Sequence, residues 1–144
     1  MEKASQKMHE VFLDTSFAIA LSATTDQNHA KAVNLAEQIE LQNLYLVTTQ
    51  AILLEIGNAL SKQRYRTAAI QLLESLESDP NVEIVLLTNE LYCAAFELFR
   101  NRQDKEWGLV DCVSFVVMQN RGIAEALTAD EHFNQAGFRA LLRN

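Results

Sequence analysis

Short apolar runs alternate with longer amphipathic stretches along most of the chain. The short runs have the length of β-strands, and the longer stretches repeat their apolar residues every three or four positions, as amphipathic helices do. Strands are predicted at residues 10–13, 44–47, 82–87 and 124–128, with an edge strand at 138–142. Helices are predicted at residues 15–21, 28–41, 50–63, 66–76, 90–100, 109–119 and 131–136. Strands that alternate with helices, without tight hairpin signals, predict an α/β domain whose parallel sheet is covered on both faces.

Two of the predicted strands are followed by an aspartate. Asp14 comes directly after the first strand, and Asp130 follows the fourth. Ligands of open parallel sheets bind outside the carboxyl ends of the strands, where strand order reverses. Aspartate before a helix is also a favoured N-cap. Each of these two residues, taken alone, is therefore compatible with either a site or a cap.

Two further acids lie on apolar helix faces. Asp111 shares a face with Phe115 and Met118, on a helix with no basic residue before Arg121. Glu55 stands three residues after an isoleucine of the buried stripe of its own helix. A buried lone carboxylate is costly, so it normally has a cation or strong donors as a partner. These two acids argue for a shared site more strongly than the strand-end aspartates do.

The four acids together predict a site for a hard divalent cation. Carboxylate oxygens suit Mg²⁺ or Mn²⁺, and no histidine or cysteine pair stands at a zinc-ligand spacing. Cys93 and Cys112 fall in apolar helical patterns, where a free thiol is usually buried. Paired divalent cations can activate water and stabilise the leaving oxygen of a phosphodiester. The pattern thus favours metal-dependent phosphodiester chemistry.

The charge of the chain runs against a nucleic-acid substrate. The 19 acidic and 12 basic residues give a net charge of −7, whereas phosphate backbones attract basic surfaces. If cations take up the four candidate acids, the other 15 acidic residues against 12 basic ones leave −3, which allows a local basic patch. The polar start of the chain and the absence of apolar runs near the ~20 residues of a membrane span predict a cytoplasmic protein with no membrane contact.

Four motifs in order resemble the PIN-domain ribonucleases, especially VapC-like toxins of prokaryotic toxin–antitoxin pairs. They are FLDTS at 12–16, LEIGNAL at 54–60, WGLVDCVSF at 107–115 and LTADEHF at 127–133. Before the third acid this chain has Gly108 and Val110, where the family more often has hydroxyl-bearing residues. The resemblance implies a single PIN domain over residues 1–144, of which residues 1–9 are expected to be a disordered N-terminus, with a three-layer α/β/α sandwich around about five parallel strands.

The resemblance also implies a function and its residues. It implies Mg²⁺- or Mn²⁺-dependent cleavage of RNA by Asp14, Glu55, Asp111 and Asp130 as metal ligands, frequent homodimerisation, and an antitoxin protein as a partner if the chain is a toxin. Ser16 and Thr128 would be hydroxyls that orient the metal ligands. His132 is expected to be a structural residue beside the site and not a general base.

Two basic clusters are candidates for RNA contact. One comprises Arg100, Arg102 and Lys105, in and after the fifth predicted helix, and the other lies at residues 62–66. For each cluster, ordinary solvated charge is the simpler explanation. A second reading of the whole chain also stays open, in which the fold is a module that binds RNA or a protein partner and the acids cap helices without catalysis.

Overall fold

The computed structural model describes residues 9–143. Its strands are β1 (Glu10–Leu13), β2 (Tyr45–Thr49), β3 (Val82–Val85), β4 (Glu125–Leu127) and β5 (Arg139–Ala140). Its helices are α1 (Thr15–Ser22), α2 (His29–Gln42), α3 (Gln50–Ala59), α4 (Gln63–Ser78), α5 (Asn89–Asn101), α6 (Leu109–Arg121) and α7 (Glu131–Gln135). The segment predicted to be disordered lies outside the described residues, except for His9, whose carbonyl accepts a hydrogen bond from the backbone of Tyr45 (3.0 Å).

The five strands form one parallel sheet in the order β3-β2-β1-β4-β5. The chain moves outward from β1 to β3, then returns across the sheet to pair β4 with the other side of β1. Strand order therefore reverses between β1 and β4. This is the point at which open parallel sheets leave a crevice beyond the carboxyl ends of their strands.

Crossovers between parallel strands are right-handed almost without exception, and with this strand order the rule puts the helices in two layers. The connections from β1 to β3 carry α1 to α4 on one face, and the returning connections carry α5 to α7 on the other. The helix contacts agree, since α1 contacts α2 and α3, whereas α6 contacts α5 and α7. The predicted three-layer α/β/α sandwich with five parallel strands is confirmed.

An aromatic cluster anchors α6 on the sheet. The ring of Phe115 lies edge-on to Trp107 and to Phe133, with 5.0 Å between centroids in each case. Phe138 lies 5.7 Å from the same ring. These side chains hold the N-terminal half of α6, the loop before it and α7 together. The cluster thereby fixes the place where α6 begins.

A three-residue ion cluster lies near the amino ends of β1 and β3. Arg121, at the end of α6, donates to Glu10 Oε2 (2.9 Å) and to Glu83 Oε1 (2.8 Å). These contacts link α6 to two strands that are separated by β2. They hold the pole of the sheet opposite the carboxyl ends.

Several local predictions differ from the structure. The helix predicted at 50–63 ends at Ala59, where the backbone of Leu60 leaves helical geometry (φ −112°, ψ 31°), and α4 begins earlier than predicted. The strand predicted at 82–87 stops at Val85, since the backbone of Leu87 donates to the Gln50 side chain instead of continuing the ladder. Cys112 is buried as predicted, but Cys93 is exposed on α5. Among the described helices, none is both long and apolar enough to cross a membrane.

Candidate active site

Asp14 occupies the carboxyl end of β1. Its backbone N–H donates to the carbonyl of Leu127 on β4 (3.2 Å), which sets it at the strand reversal. The side chain is only 6% exposed. It makes no N-cap hydrogen bond with α1, although its position would allow one. Thr128 donates to its Oδ2 atom at 2.7 Å, and Ser16 does so at 3.3 Å. The carboxylate is held by hydroxyls and does not serve as a helix cap.

The two hydroxyls that hold Asp14 also join β1 to β4. Ser16 Oγ accepts a hydrogen bond from the backbone N–H of Ala129 (3.0 Å) and lies 3.2 Å from Thr128 Oγ1. Thr128 Oγ1 in turn accepts from the backbone N–H of Asp130 (3.0 Å). Both hydroxyls were predicted to orient the metal ligands, and both lie within hydrogen-bond distance of the Asp14 carboxylate.

Glu55 projects from α3 toward α1. Its Oε1 accepts a hydrogen bond from the hydroxyl of Thr15 (2.6 Å). Thr15 and Glu55 are far apart in sequence, so the pattern of apolar residues carries no signal for their contact. Thr15 is a functional candidate that sequence analysis missed.

Asp111 lies in the first turn of α6, with its side chain 18% exposed. Its Oδ2 accepts from the backbone N–H of Gly108 (3.1 Å) and lies 3.1 Å from Nδ1 of His132. A carboxylate has no proton to give, so the ring nitrogen is the donor. Positions 108 and 110 carry no hydroxyl, and the hydrogen bonds to Asp111 come instead from the Gly108 backbone and from His132.

Asp130 precedes α7 and combines both readings made from the sequence. Its Oδ1 accepts from the backbone N–H of His132 (2.9 Å), a genuine cap, and also lies 3.4 Å from Nδ1 of that histidine. One ligand atom from each of Asp111, Asp130 and His132 lies within 4.8 Å of the others. The imidazole of His132 therefore faces the acids, an orientation that could not be predicted from the sequence.

The four acids line one open cleft. Its cavity volume is about 500 Å³, and the remaining lining residues are Thr15, Ser16, Ile19, Asn58 and Ala59. The acids come from the ends of β1 and β4 and from the helices α3 and α6, which contact each other. Four elements that are remote in sequence thus deliver carboxylates to one place.

A family comparison identifies this architecture. The PIN domain model matches residues 11–139. The chain belongs to the PIN domain family. The match runs from β1 to the start of β5 and includes all four acids of the cleft, so the family resemblance of the sequence motifs is confirmed.

Two curated relatives and one solved structure agree with this assignment. The 23S rRNA-specific endonuclease VapC20 of Mycobacterium tuberculosis, strains CDC 1551 and H37Rv, is 29% identical over 128 residues, which cover 89% of this chain and 95% of the relative. The crystal structure of Mycobacterium tuberculosis VapC20, described as a sarcin–ricin loop cleaving toxin, superposes with a TM-score of 0.77 at 27% identity, over 89% of this chain and 95% of that one. These relatives are named as an endonuclease and a cleaving toxin, which confirms the prediction of a PIN-domain nuclease.

Burial and neighbouring negative charges raise the pKa of two carboxylates of the PIN cleft, Asp14 and Asp111. Burial raises the pKa of Asp14 from 3.8 to about 6, against the lowering effect of the Thr128 hydrogen bond, and the charges of Asp111 and Glu55 raise it further. Burial also raises the pKa of Asp111, while its bonds to Gly108 and His132 oppose the shift. Protons and divalent cations therefore compete for this cleft.

The donor set fits a hard divalent cation. Four carboxylates face the cleft, no cysteine lines it, and within residues 9–143 no lysine or arginine nitrogen lies within 4.0 Å of the four acids. The imidazole of His132 is the one basic group beside the acids in the described part of the chain, and a single ring cannot balance four ionised carboxylates, so the cluster requires a further counter-charge. Asp111, Asp130 and His132 bring ligand atoms within 4.8 Å of one another, and Asp14 and Glu55 line the same cleft as the further oxygen donors that a cation would use. Thr15 and Thr128 would orient Glu55 and Asp14.

The predicted RNA-contact residues lie outside the cleft. Arg100 pairs with Glu97 (2.5 Å), and Arg102 pairs with Asp104 through two nitrogens at 2.9 Å each. Lys105 has no carboxylate oxygen within 4.0 Å in the described part of the chain. Two of the three predicted cations are therefore already matched by acids of their own segment.

Proposed function

We propose that the chain is an endoribonuclease that hydrolyses RNA phosphodiester bonds at the cleft formed by Asp14, Glu55, Asp111 and Asp130. The observation that carries the proposal is the convergence of these four carboxylates, from four separate elements, at the strand reversal of a PIN sheet. The cleavage of ribosomal RNA by the VapC20 relatives supports RNA as the substrate.

The proposed cofactor is Mg²⁺ or Mn²⁺, because both prefer oxygen ligands. When bound between carboxylates, such cations lower the pKa of water to provide a nucleophile and compensate the charge that develops on the phosphate. The protein's own contribution is to hold the carboxylates in place. Thr128 and Ser16 fix Asp14, Thr15 fixes Glu55, and the Gly108 backbone and His132 fix Asp111.

The test is cleavage of RNA by purified wild-type protein and Asp111→Asn, with Glu37→Gln as a matched control. Both variants remove one negative charge, but Glu37 is exposed on α2, away from the cleft. Total RNA and 23S rRNA are incubated with Mn²⁺, with Mg²⁺ or with EDTA, and the cut sites are mapped by primer extension. We expect wild type and Glu37→Gln to cut only with metal and Asp111→Asn not to cut. Equal cleavage by Asp111→Asn would refute the proposed site.

The toxin role and the homodimer are further parts of this proposal. VapC20 is described as a toxin, and by similarity the chain would arrest growth when expressed alone and be neutralised by a partner antitoxin. Inducible expression of wild type and Asp111→Asn tests the toxin role, since only wild type should arrest growth. Light scattering of the purified protein tests the dimer.

The alternative function is a PIN module that binds RNA or protein without cutting. The structural bonds of the acids favour it, because Asp130 caps α7 and Asp111 accepts from the backbone of Gly108. Metal titration separates the two functions. A cation site raises thermal stability with concentration, so a melting temperature unaffected by millimolar Mg²⁺ and Mn²⁺, together with intact RNA, would establish the module.

A further inference from the structure

The junction between α3 and α4 carries a concentrated basic patch. Lys62, Arg64 and Arg66 are all exposed, and from residue 56 to residue 73 the chain contains these three basic side chains and no acidic one. In a protein of net charge −7 this is a marked local reversal of sign. Such a patch attracts polyanions even when the protein as a whole is acidic.

The basic patch adjoins the acidic cleft. Asn58 and Ala59, at the end of α3, line the cleft that contains Glu55. Lys62 follows Ala59 by three residues, which span at most about 11 Å when fully extended. The patch therefore begins at the α3 side of the cleft. A strand whose scissile phosphate lay among the carboxylates could extend from there over the patch.

The charges of the basic patch are free to bind a ligand. Within residues 9–143, no carboxylate oxygen lies within 4.0 Å of the charged nitrogens of Lys62, Arg64 or Arg66, whereas most other arginines have one. Arg66 donates to the carbonyl of Ser61 (2.8 Å), which braces the junction and keeps its charge uncompensated. A free cation releases counterions on binding phosphate without first breaking a salt bridge.

An aromatic ring lies inside the basic patch. Tyr65 is 40% exposed, and the guanidinium of Arg64 lies 4.8 Å from its ring centroid. Single-stranded nucleic acid is commonly held by cations that follow its backbone and by aromatic rings that stack on its bases. The exposed segment combines cations with an aromatic ring, so it has both kinds of group that such binding uses.

We propose that Lys62, Arg64, Tyr65 and Arg66 bind single-stranded RNA beside the cleavage site, with the cations on phosphates and Tyr65 on a base. This inference rests on the proposed endoribonuclease function and names where its substrate lies. It assigns the substrate contact to the α3–α4 junction and not to Arg100 and Arg102, whose charges are matched by Glu97 and Asp104.

The test measures binding of a fluorescent oligouridylate to Asp111→Asn protein as a function of KCl concentration. In single strands, each phosphate contact adds about 0.7 to the slope of log K against log salt. We therefore expect Lys62→Gln/Arg64→Gln, which leaves Arg66 in place, to reduce the slope by about 1.4. Arg100→Gln/Arg102→Gln removes the same charge and is the control, with little expected change. Thermal unfolding of each variant verifies its fold.

A substitution of the ring separates stacking from charge. Tyr65→Leu is expected to weaken binding by about fivefold or more while leaving the salt slope unchanged. Equal slopes for the patch variant and its parent would overturn the inference and point to an acidic protein as the ligand of the basic patch. If wild type cuts RNA and the slopes are equal, the inference fails and the proposed function stands. If wild type cuts no RNA, the proposed function fails, and the slopes still decide the patch.

Discussion

Replacing Asp14 by asparagine is expected to stabilise the metal-free protein while abolishing its response to metal. Asp14 is 6% exposed, and burial raises its pKa from 3.8 to about 6. The folded state thus binds this proton more tightly than the unfolded state does. The corresponding loss of stability is absent below the unfolded pKa, grows between the two values, and is complete above about pH 6.

The magnitude follows from the two pKa values. A shift of about two units corresponds to roughly 3 kcal/mol of unfolding free energy, at 1.36 kcal/mol per unit. Asparagine removes the charge and can still accept the Thr128 hydrogen bond through its amide oxygen. Its amide N–H₂ group introduces donors that need new partners, so we expect a net gain of about 1–3 kcal/mol at neutral pH.

The assay is urea unfolding in EDTA across a pH series, with Glu37→Gln as the control. We expect the gain of Asp14→Asn to be largest near neutrality and to disappear as the pH falls through about 6 to 3.8. Adding Mn²⁺ should then stabilise the wild type and not the variant, which narrows or reverses the difference. A gain that does not change with pH would refute the reasoning, as would a net destabilisation by Asp14→Asn at neutral pH in EDTA.

Three further substitutions probe other parts of the molecule. His132→Ala removes the donor to Asp111 and should weaken Mn²⁺ binding about 10- to 100-fold by calorimetry; unchanged affinity would show that the ring does not orient the acid. Phe115→Ala empties the centre of the aromatic cluster and should cost about 3–5 kcal/mol in urea unfolding; a loss under about 1 kcal/mol would mean that the cluster does not anchor α6. Arg121→Met leaves Glu10 without its partner and should cost about 1–2 kcal/mol, because the pair is only partly buried. Its melting-temperature gain with Mn²⁺ should equal that of wild type, and a smaller gain would contradict the separation of the two poles.

The alternation of strands and helices could be predicted because the spacing of apolar residues within each segment distinguishes a strand from a helix. The acids of α3 and α6 could be singled out for the same reason, since Glu55 and Asp111 interrupt apolar faces of predicted helices. Helix ends were less accessible. The backbone of Leu60 leaves the helical conformation although Leu60 continues the apolar spacing of Ile52 and Ile56, so the periodicity carries no sign of this helix end.

The partners of Glu55 and Asp111 could not be predicted from the apolar pattern, because they are distant in sequence. Thr15 meets Glu55 across 40 positions, and His132 meets Asp111 across 21. Conversely, the pairing of Arg102 with Asp104 could have been predicted from the sequence, since only one residue separates them. A rule that discounts cations beside acids would have ranked residues 62–66 above the segment that follows α5.

The ion cluster of Arg121, Glu10 and Glu83 differs from the acidic cleft in how its negative charge is balanced. Near the amino ends of the strands, the chain supplies its own cation for Glu10 and Glu83. At the carboxyl ends, the four cleft acids have no arginine or lysine within 4.0 Å in the described part of the chain. Apart from the imidazole of His132, beside Asp111 and Asp130, we expect the counter-charge there to come from solution. We expect the protein to fold without that cation. The concentration of free divalent cation would then set the fraction of folded protein that can cleave RNA, independently of the amount of protein in the cell.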